Sequence, residues 1–412
     1  MTEKTQPYEI RQVTEDDWDA IVRQDEITFL QSMEDFAPVD RELMYWPLSF
    51  GAFQDGGLIG YAGSFDLRVT VPGGEQVPMA AVTWVSTLPT HRRKGVLSAL
   101  MQRQLRTAKD EDGRALACLW ASETAIYGRF GYGAASHLLS VSVPRSAAFV
   151  DAPAPDPRVS FRLVEGLEHI AEFSEIYEAS LRGRPGAIDM PAQGWWKRAV
   201  MDPPGNRGDK LRCVLATRDN RPVGYAIYVP KSEWGDNGPA GQVGVRHLMG
   251  VDTAARADMW RYILGIDLTA TVEWWNMPCD EPLIHWVADT RSIKPRQGDG
   301  LYVRILDIPA ALGVRAYQSE VDVVVEMSDA LMPENAGRWR IVTGPKGAEV
   351  TRTDAPADLE MDIRTLGSAY LGDTSLVALG AAGRVREHNE GALASTSVAF
   401  GSQVAPWCPW VF

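Results

Sequence analysis

Residues 82–101, VTWVSTLPTHRRKGVLSALM, hold the densest chemistry in this 412-residue chain. The run Ala80 to Val85 reads as the end of a strand, and a turn rich in N–H donors comes next. From Gly95 onward the apolar residues Val96, Leu97, Leu100, Met101, Leu105 and Ala108 recur at helical spacing. A helix start leaves amide groups unpaired and carries partial positive charge, which suits a pyrophosphate. Arg92 and Arg93 add charge and directed donors, and Gly95 lets the backbone come close. On these residues alone, a solvated basic turn reads equally well.

Two further stretches carry candidate groups. In ASETAIYGRFGYG, Ser122 is the predicted N-cap of a short helix that presents Tyr127. Its phenol is either a proton donor or a packed aromatic. The chain finishes on PWCPWVF, although termini are usually polar and frayed. Trp407, Trp410 and Val411 are expected to bury the Phe412 α-carboxylate, whether for chemistry or for packing. Cys118 reads as a small core residue, and Cys408 has no histidine near it in sequence.

The elements that must hold these groups form an α/β pattern. A helix is predicted over Asp16–Phe36, a hairpin around Gln54-Asp55-Gly56-Gly57, a turn at Pro72-Gly73-Gly74 and a strand at Leu116–Trp120. DAPAPDP at 151–157 is a linker, and the segment after it repeats the segment before it. Gly60-Tyr61-Ala62 recurs as Gly224-Tyr225-Ala226, and Val82–Met101 aligns without gaps on Val245–Leu264. In that alignment Ala255 and Asp258 stand where Arg92 and Gly95 stood, so the second copy reads as structural: a carboxylate there repels phosphate. From about Gly300 a third, α+β segment carries strands at 321–326 and 359–363 and helices at 309–317 and 366–371. The domains expected are 1–154, 155–298 and 299–412.

Composition bounds the function. A formal charge of −13 argues against nucleic acid as a partner and fits cationic substrates. Four scattered cysteines give neither a disulfide nor a zinc framework, so no metal is assigned and a reducing compartment is expected. The opening MTEKTQPYEIRQ lacks an apolar signal core, and no apolar run is long enough to span a membrane. The expectation is a cytoplasmic protein.

Arg92-Arg93-Lys94-Gly95-Val96-Leu97 resembles the acetyl-CoA signature of the GNAT N-acetyltransferase superfamily, Gln/Arg-x-x-Gly-x-Gly/Ala, with Leu97 departing at the last position. ASETAIYGRFGYG is similar to one branch of it, the Eis (enhanced intracellular survival) acetyltransferases of actinobacteria. The resemblance implies a catalytic GNAT domain, a degenerate GNAT-like domain and a sterol-carrier-protein-like domain. It implies acetyl-CoA as co-substrate, held by Val85 and Thr87 on a splayed strand and by Arg92, Arg93, Gly95, Val96 and Ser122. It implies Tyr127 near the CoA sulfur and the Phe412 carboxylate at the acceptor, as acid and base. Acceptors would be aminoglycoside, polyamine or lysyl amines, and the assembly a homohexamer. Asp25, Glu26, Glu34 and Asp35 flank the helix that would wall the acceptor. The competing readings are a carrier of apolar ligands and a CoA-binding regulator without turnover.

Overall fold

In a computed structural model of the protein, residues 7–30, 32, 37–190, 193–201, 210–236 and 238–412 are described. The chain divides into two units, Met1–Ser136 with Gly183–Asp189 and Gly300–Phe412, and His137–Arg182 with Met190–Asp299.

The first unit opens with β1 (Glu9–Gln12), α1 (Trp18–Phe29) and α2 (Ala37–Leu43). A meander comes next, β2 (Phe50–Gln54), β3 (Gly57–Thr70) and β4 (Gln76–Thr87). Asp55 and Gly56 both take positive φ, the mirror-image two-residue turn that matches strand twist, so the predicted hairpin stands. Helix α3 (Val96–Asp110) then crosses to β5 (Leu116–Trp120), which lies parallel to β4. Short α4 (Thr124–Tyr127) and β6 (Gly133–Ala134) complete this stretch. The first helix is shorter than predicted. It starts after a 3-10 turn at Glu15–Asp17 and ends where Leu30 turns left-handed; residues 31 and 33–36 lie outside the described residues.

Helix α3 shows why the periodicity is informative. Val96, Leu100, Met101, Leu105 and Ala108 are all buried. Gln104 shares that face at 0% exposure. Its Nε2 donates to the carbonyls of Leu48 at 2.8 Å and Gly63 at 2.9 Å, which satisfies the donor half of the buried amide.

The second unit carries β7 (His137–Pro144), β8 (Val159–Val164), α5 (Ile170–Ser180), α6 (Gln193–Val200), β9 (Arg212–Arg218) and β10 (Arg221–Lys231). A small ribbon, β11 (Trp234–Gly235) with β12 (Gly238–Pro239), precedes β13 (Gly241–Gly250) and α7 (Thr253–Leu264). Then come β14 (Thr269–Pro278), α8 (Leu283–Trp286) and β15 (Arg296–Asp299). The sheet order is β15-β7-β14-β13-β10-β9-β8. Trp195, Trp196 and Trp274 are core residues, whereas Trp275 is 52% exposed.

The repeat is kept in register at the ends of the paired strands, although the bulge of the first copy, between Tyr61 and Gly63, falls further along in the second, between Ile227 and Tyr228. Tyr61 faces Ser86 across β3 and β4, and Tyr225 faces Met249 across β10 and β13, as the gap-free alignment requires. Beyond Gly250 the alignment fails. Eight residues, 88–95, separate β4 from α3, but only Val251 and Asp252 separate β13 from α7. Asp258, expected at the helix start, therefore lies inside α7 and pairs with Arg261 at 2.9 Å. The carboxylate at the helix start is Asp252. It accepts the Ala255 N–H at 2.8 Å and pairs with Arg218 at 2.8 Å.

The chain then returns to the first unit. Strand β16 (Leu301–Ile305) enters the first sheet, giving the order β1-β2-β3-β4-β5-β16-β6. Helix α9 (Ile308–Val314) leads to β17 (Asp322–Ser328), β18 (Gly337–Gly344), β19 (Gly347–Arg352) and β20 (Leu359–Asp362). Helices α10 (Ile363–Ala369) and α11 (Leu376–Ala381), strand β21 (Val385–Glu387) and α12 (Ala392–Phe400) complete the chain's regular elements. The predicted third-segment elements are present with shifted ends; α10 starts early because the Asp362 carboxylate caps it, accepting the Thr365 N–H at 2.7 Å. Arg304 on β16 is buried against Asp329 beyond β17, with contacts of 2.8 and 2.7 Å to its two oxygens. Asp329 also accepts the N–H groups of Leu331 and Met332, so that buried charge pair has its remaining lone pairs filled.

The α3 face yields a stability test. Leu100→Ala should cost about 2–5 kcal/mol, read as a lower urea midpoint, because the site cannot collapse onto a sheet.

Candidate active site

Strands β4 and β5 pair only at Met79–Leu116, Ala80–Ala117 and Ala81–Cys118. Beyond Ala81 they part, and β4 continues to Thr87 with no further pairing to β5. A bulge accompanies the parting. Tyr61 faces Ser86 while Gly63 faces Thr83, so Trp84 and Val85 together oppose Ala62. Trp84 has φ +53°, a region bulky residues rarely adopt. The Trp18 ring, 5.2 Å away by centroid, packs on it and holds it there.

Beside the unpaired end of β4, and reaching the residues that follow β5, is a cavity of about 750 Å³. Val85, Thr87, Arg92, Arg93, Gly95, Val96, Ser122 and Tyr127 all line it. Eight of the nine residues picked out from the sequence thus line one cavity. The ninth, Phe412, is buried and is not among the lining residues. Phe29, His91, Leu97, Glu123 and Arg129 line it too, beyond the residues the sequence singles out for the site. Glu123 and Arg129 sit inside the quoted signature, so a local signal for them exists.

Each wall has a local cause. Gly95 caps α3 with φ +83°; a Cβ there would meet only the Tyr8 hydroxyl, at an ordinary 3.5 Å. Conformation, more than space, demands the glycine. No side chain caps this 15-residue helix, so its first amides are left for something else. The Thr87 hydroxyl is buried without a hydrogen-bond partner among the described residues. Ser122 does not cap α4 as predicted. Glu123 holds the N-cap position, without a side-chain bond, and Ser122 stands one residue before it.

Tyr127 is 5% exposed, its ring edge-on to Tyr132 at 6.0 Å. Burial, and then the Glu123 charge, push its phenol up to about 12. It keeps its proton at any physiological pH. The cysteines do not compete as nucleophiles. Burial and then Cys408 hold the Cys118 thiol well above its ordinary value, and burial pushes Cys408 up to about 12.

Of the acidic residues flanking α1, Glu34 and Asp35 lie outside the described residues. Asp25 is 4% exposed, one turn before the cavity-lining Thr28. Burial, then the charges of Asp40 and Glu26, push it up to about 7.

These features match known proteins. Residues 9–135 and 186–305 each match the acetyltransferase (GNAT) domain family, and residues 308–409 match the sterol carrier protein domain family. An uncharacterised N-acetyltransferase of Streptomyces avermitilis is 42% identical over 414 residues, 98% of this chain and 99% of that protein. The N-acetyltransferase Eis of Mycobacterium tuberculosis is 36% identical over 358 residues, 86% of each chain. The crystal structure of Eis1 from Mycobacterium abscessus superposes with a TM-score of 0.84 at 30% identity, over 98% of this chain and 100% of that one. The chain belongs to the GNAT N-acetyltransferases, and within them to the Eis family. Acetyl transfer is therefore its activity, and its family draws on acetyl-CoA.

Asp25 gives a pH test with a definite sign. Its folded value of about 7 exceeds the ordinary 3.8, so the folded state binds the proton more tightly than the unfolded chain. Ionised Asp25 costs nothing near pH 4, and the cost grows to its full value by about pH 7. Asp25→Asn should therefore raise the melting temperature at pH 8, by an amount equivalent to at most about 4 kcal/mol, and leave it unchanged near pH 4.

Proposed function

We propose that the protein transfers acetyl from acetyl-CoA to amino groups of cationic acceptors, of aminoglycoside, polyamine or lysyl type. In this reading Tyr127 is the general acid and the Phe412 α-carboxylate the base. The observation that carries it is the convergence of eight signature residues on the cavity between β4 and β5, with a protonated Tyr127 among them.

The groups have distinct tasks. Arg92, Arg93 and the uncapped start of α3 supply charge and donors for a pyrophosphate. Val85 and Thr87, on the part of β4 that lies beyond its β5 pairing, offer backbone groups to an extended pantetheine arm, and an N–H near Val85 polarises the thioester carbonyl. An acceptor amine has a pKa of about 10 and arrives protonated. The carboxylate takes that proton, the neutral amine nitrogen bonds to the acetyl carbon, the C–S bond breaks, and the sulfur takes the Tyr127 proton. The nitrogen's second proton returns to the Tyr127 phenolate, so that one proton in all leaves through the carboxylate. An α-carboxylate titrates near about 3.5 in water, and burial raises it toward a useful base. Desolvation raises the leaving thiol in the same way, which narrows its gap to a phenol at about 12.

The acidic chain, at −13, favours cations at the acceptor side. No helix among the described residues is long and apolar enough to cross a membrane. We place the activity in residues 1–154, with 155–298 as a degenerate copy and 299–412 carrying the terminus to the site, in a cytoplasmic homohexamer. The intact 88–95 loop, against the two-residue turn of the second copy, supports a CoA site, and the protonated Tyr127 that lines the same cavity favours turnover over a purely regulatory one.

The test is thiol release from acetyl-CoA with a panel of aminoglycosides, diamines and lysyl peptides. Turnover is expected with at least one class, and CoA binding without any turnover would leave the regulatory reading. Tyr127→Phe should lower kcat about 10²–10⁴-fold with the KM for acetyl-CoA within about twofold. One residue added after Phe412 should lower kcat as well; full kcat would place the base elsewhere.

A further inference from the structure

The last ten residues, 403–412, form neither helix nor strand, yet Pro406 to Trp410 and Phe412 are buried. Buried backbone without a ladder must find its hydrogen bonds elsewhere. They come from two places far off in sequence. The Trp120 indole N–H, at the end of β5, donates to the Trp410 carbonyl at 3.0 Å, and the Cys408 thiol donates to the same oxygen at 3.2 Å. The Arg184 guanidinium donates to the Ala405 carbonyl at 2.7 Å, and the Trp407 N–H donates to the Pro185 carbonyl at 2.8 Å.

Arg184 and Pro185 belong to a seven-residue excursion. Between α5 and α6 the chain leaves the second unit, and Gly183–Asp189 joins the first. There it extends the end of β3. The Thr70 N–H donates to Ala187 O and the Gly186 N–H to Thr70 O, each at 2.8 Å, and the Asp189 N–H donates to Arg68 O at 3.1 Å. Asp189 closes the pairing by accepting the Arg68 N–H at 2.6 Å. Gly186 has φ +83°, and a Cβ there would stand 3.1 Å from the Trp407 nitrogen. Both conformation and space therefore require glycine where the tail passes.

We propose that Trp120, Arg184 and Gly186 are positioning residues for catalysis, a clamp that fixes the tail so that the Phe412 carboxylate is held in place. The proposal rests on the reading of that carboxylate as the base. It assigns a task to chain inserted within the degenerate copy: the copy has lost its own ligand loop, yet its chain supplies one jaw of the clamp. β5 supplies the other jaw through Trp120, two residues beyond the last β4–β5 pair at Cys118. The strand that grips the tail thus leads directly into Ser122 and Glu123, which line the cavity.

The experiment is a double-mutant cycle. Trp120→Phe, which removes the indole donor and keeps a smaller aromatic ring, and Gly186→Val are each made in the natural chain and in a chain lengthened by one alanine after Phe412. Thermal melts confirm folding, and release of Phe412 by carboxypeptidase reports tail mobility. In the natural chain both variants should lower kcat at least about tenfold, leave the KM for acetyl-CoA within about twofold, and speed release of Phe412. In the lengthened chain, already slow, they should cause no further loss. Equal losses in both backgrounds, or lost acetyl-CoA affinity, would make the contacts merely structural and overturn the proposal. A lengthened chain that is slow beside fully active clamp variants would overturn the clamp alone. A lengthened chain with full kcat would remove the base reading and the clamp with it.

Discussion

The structure of the first unit depends on a limit to pairing: β4 and β5 share three residue pairs and then part. A parallel pair that stayed closed would spend its backbone groups on itself and leave no room between the strands. The bulge at Trp84 accompanies the opening. It places an L-residue in a left-handed conformation at a cost of about 1–3 kcal/mol, offset by the tilted contact with Trp18. From that opening come the cavity, the free edge at Val85–Thr87 and the room for a helix start without a side-chain cap. Tyr127 is then carried to the far wall by a four-residue helix shortly after β5.

The second unit shows what happens when the same register is kept and the loop is removed. Its strand pairs Gly224–Gly250 and Tyr225–Met249 match those of the first copy, with the bulge displaced to between Ile227 and Tyr228. With two residues in place of eight, the helix start is occupied from within the chain, by the Asp252 carboxylate. Arg256 is buried against Glu281, which also accepts the Trp260 indole N–H at 2.8 Å. A buried pair with its remaining hydrogen bonds satisfied is a stable filling, and it engages the Arg256 cation. The copy keeps its sheet while its own chain occupies the helix start.

Much of this is legible in the sequence, for identifiable reasons. Helical period on Val96–Ala108, the Asp55-Gly56 turn and the Arg92–Gly95 run are local signals, and local signals survive folding. The internal repeat is visible because strand residues such as Gly60-Tyr61-Ala62 are kept. What the sequence hides is non-local. Nothing near Trp84 announces a positive φ, which is set by Trp18 and by pairing with β3. The gap-free alignment misplaces Asp258 because a six-residue deletion is invisible when short helices align by chance. Ser122 looks like a cap one residue too early, a usual error at element ends. No local pattern tells that Leu301–Ile305 enters the first sheet, or that Gly183–Asp189 leaves its neighbours to pair with β3.

The central claim is that the parted strands of the first unit form a CoA site and that the second unit has none. Titration calorimetry with acetyl-CoA tests it most directly. The account predicts one acetyl-CoA per chain, with binding weakened at least about tenfold when Arg92 and Arg93 are both replaced by alanine. Two molecules per chain, or undiminished binding without the two arginines, would contradict it.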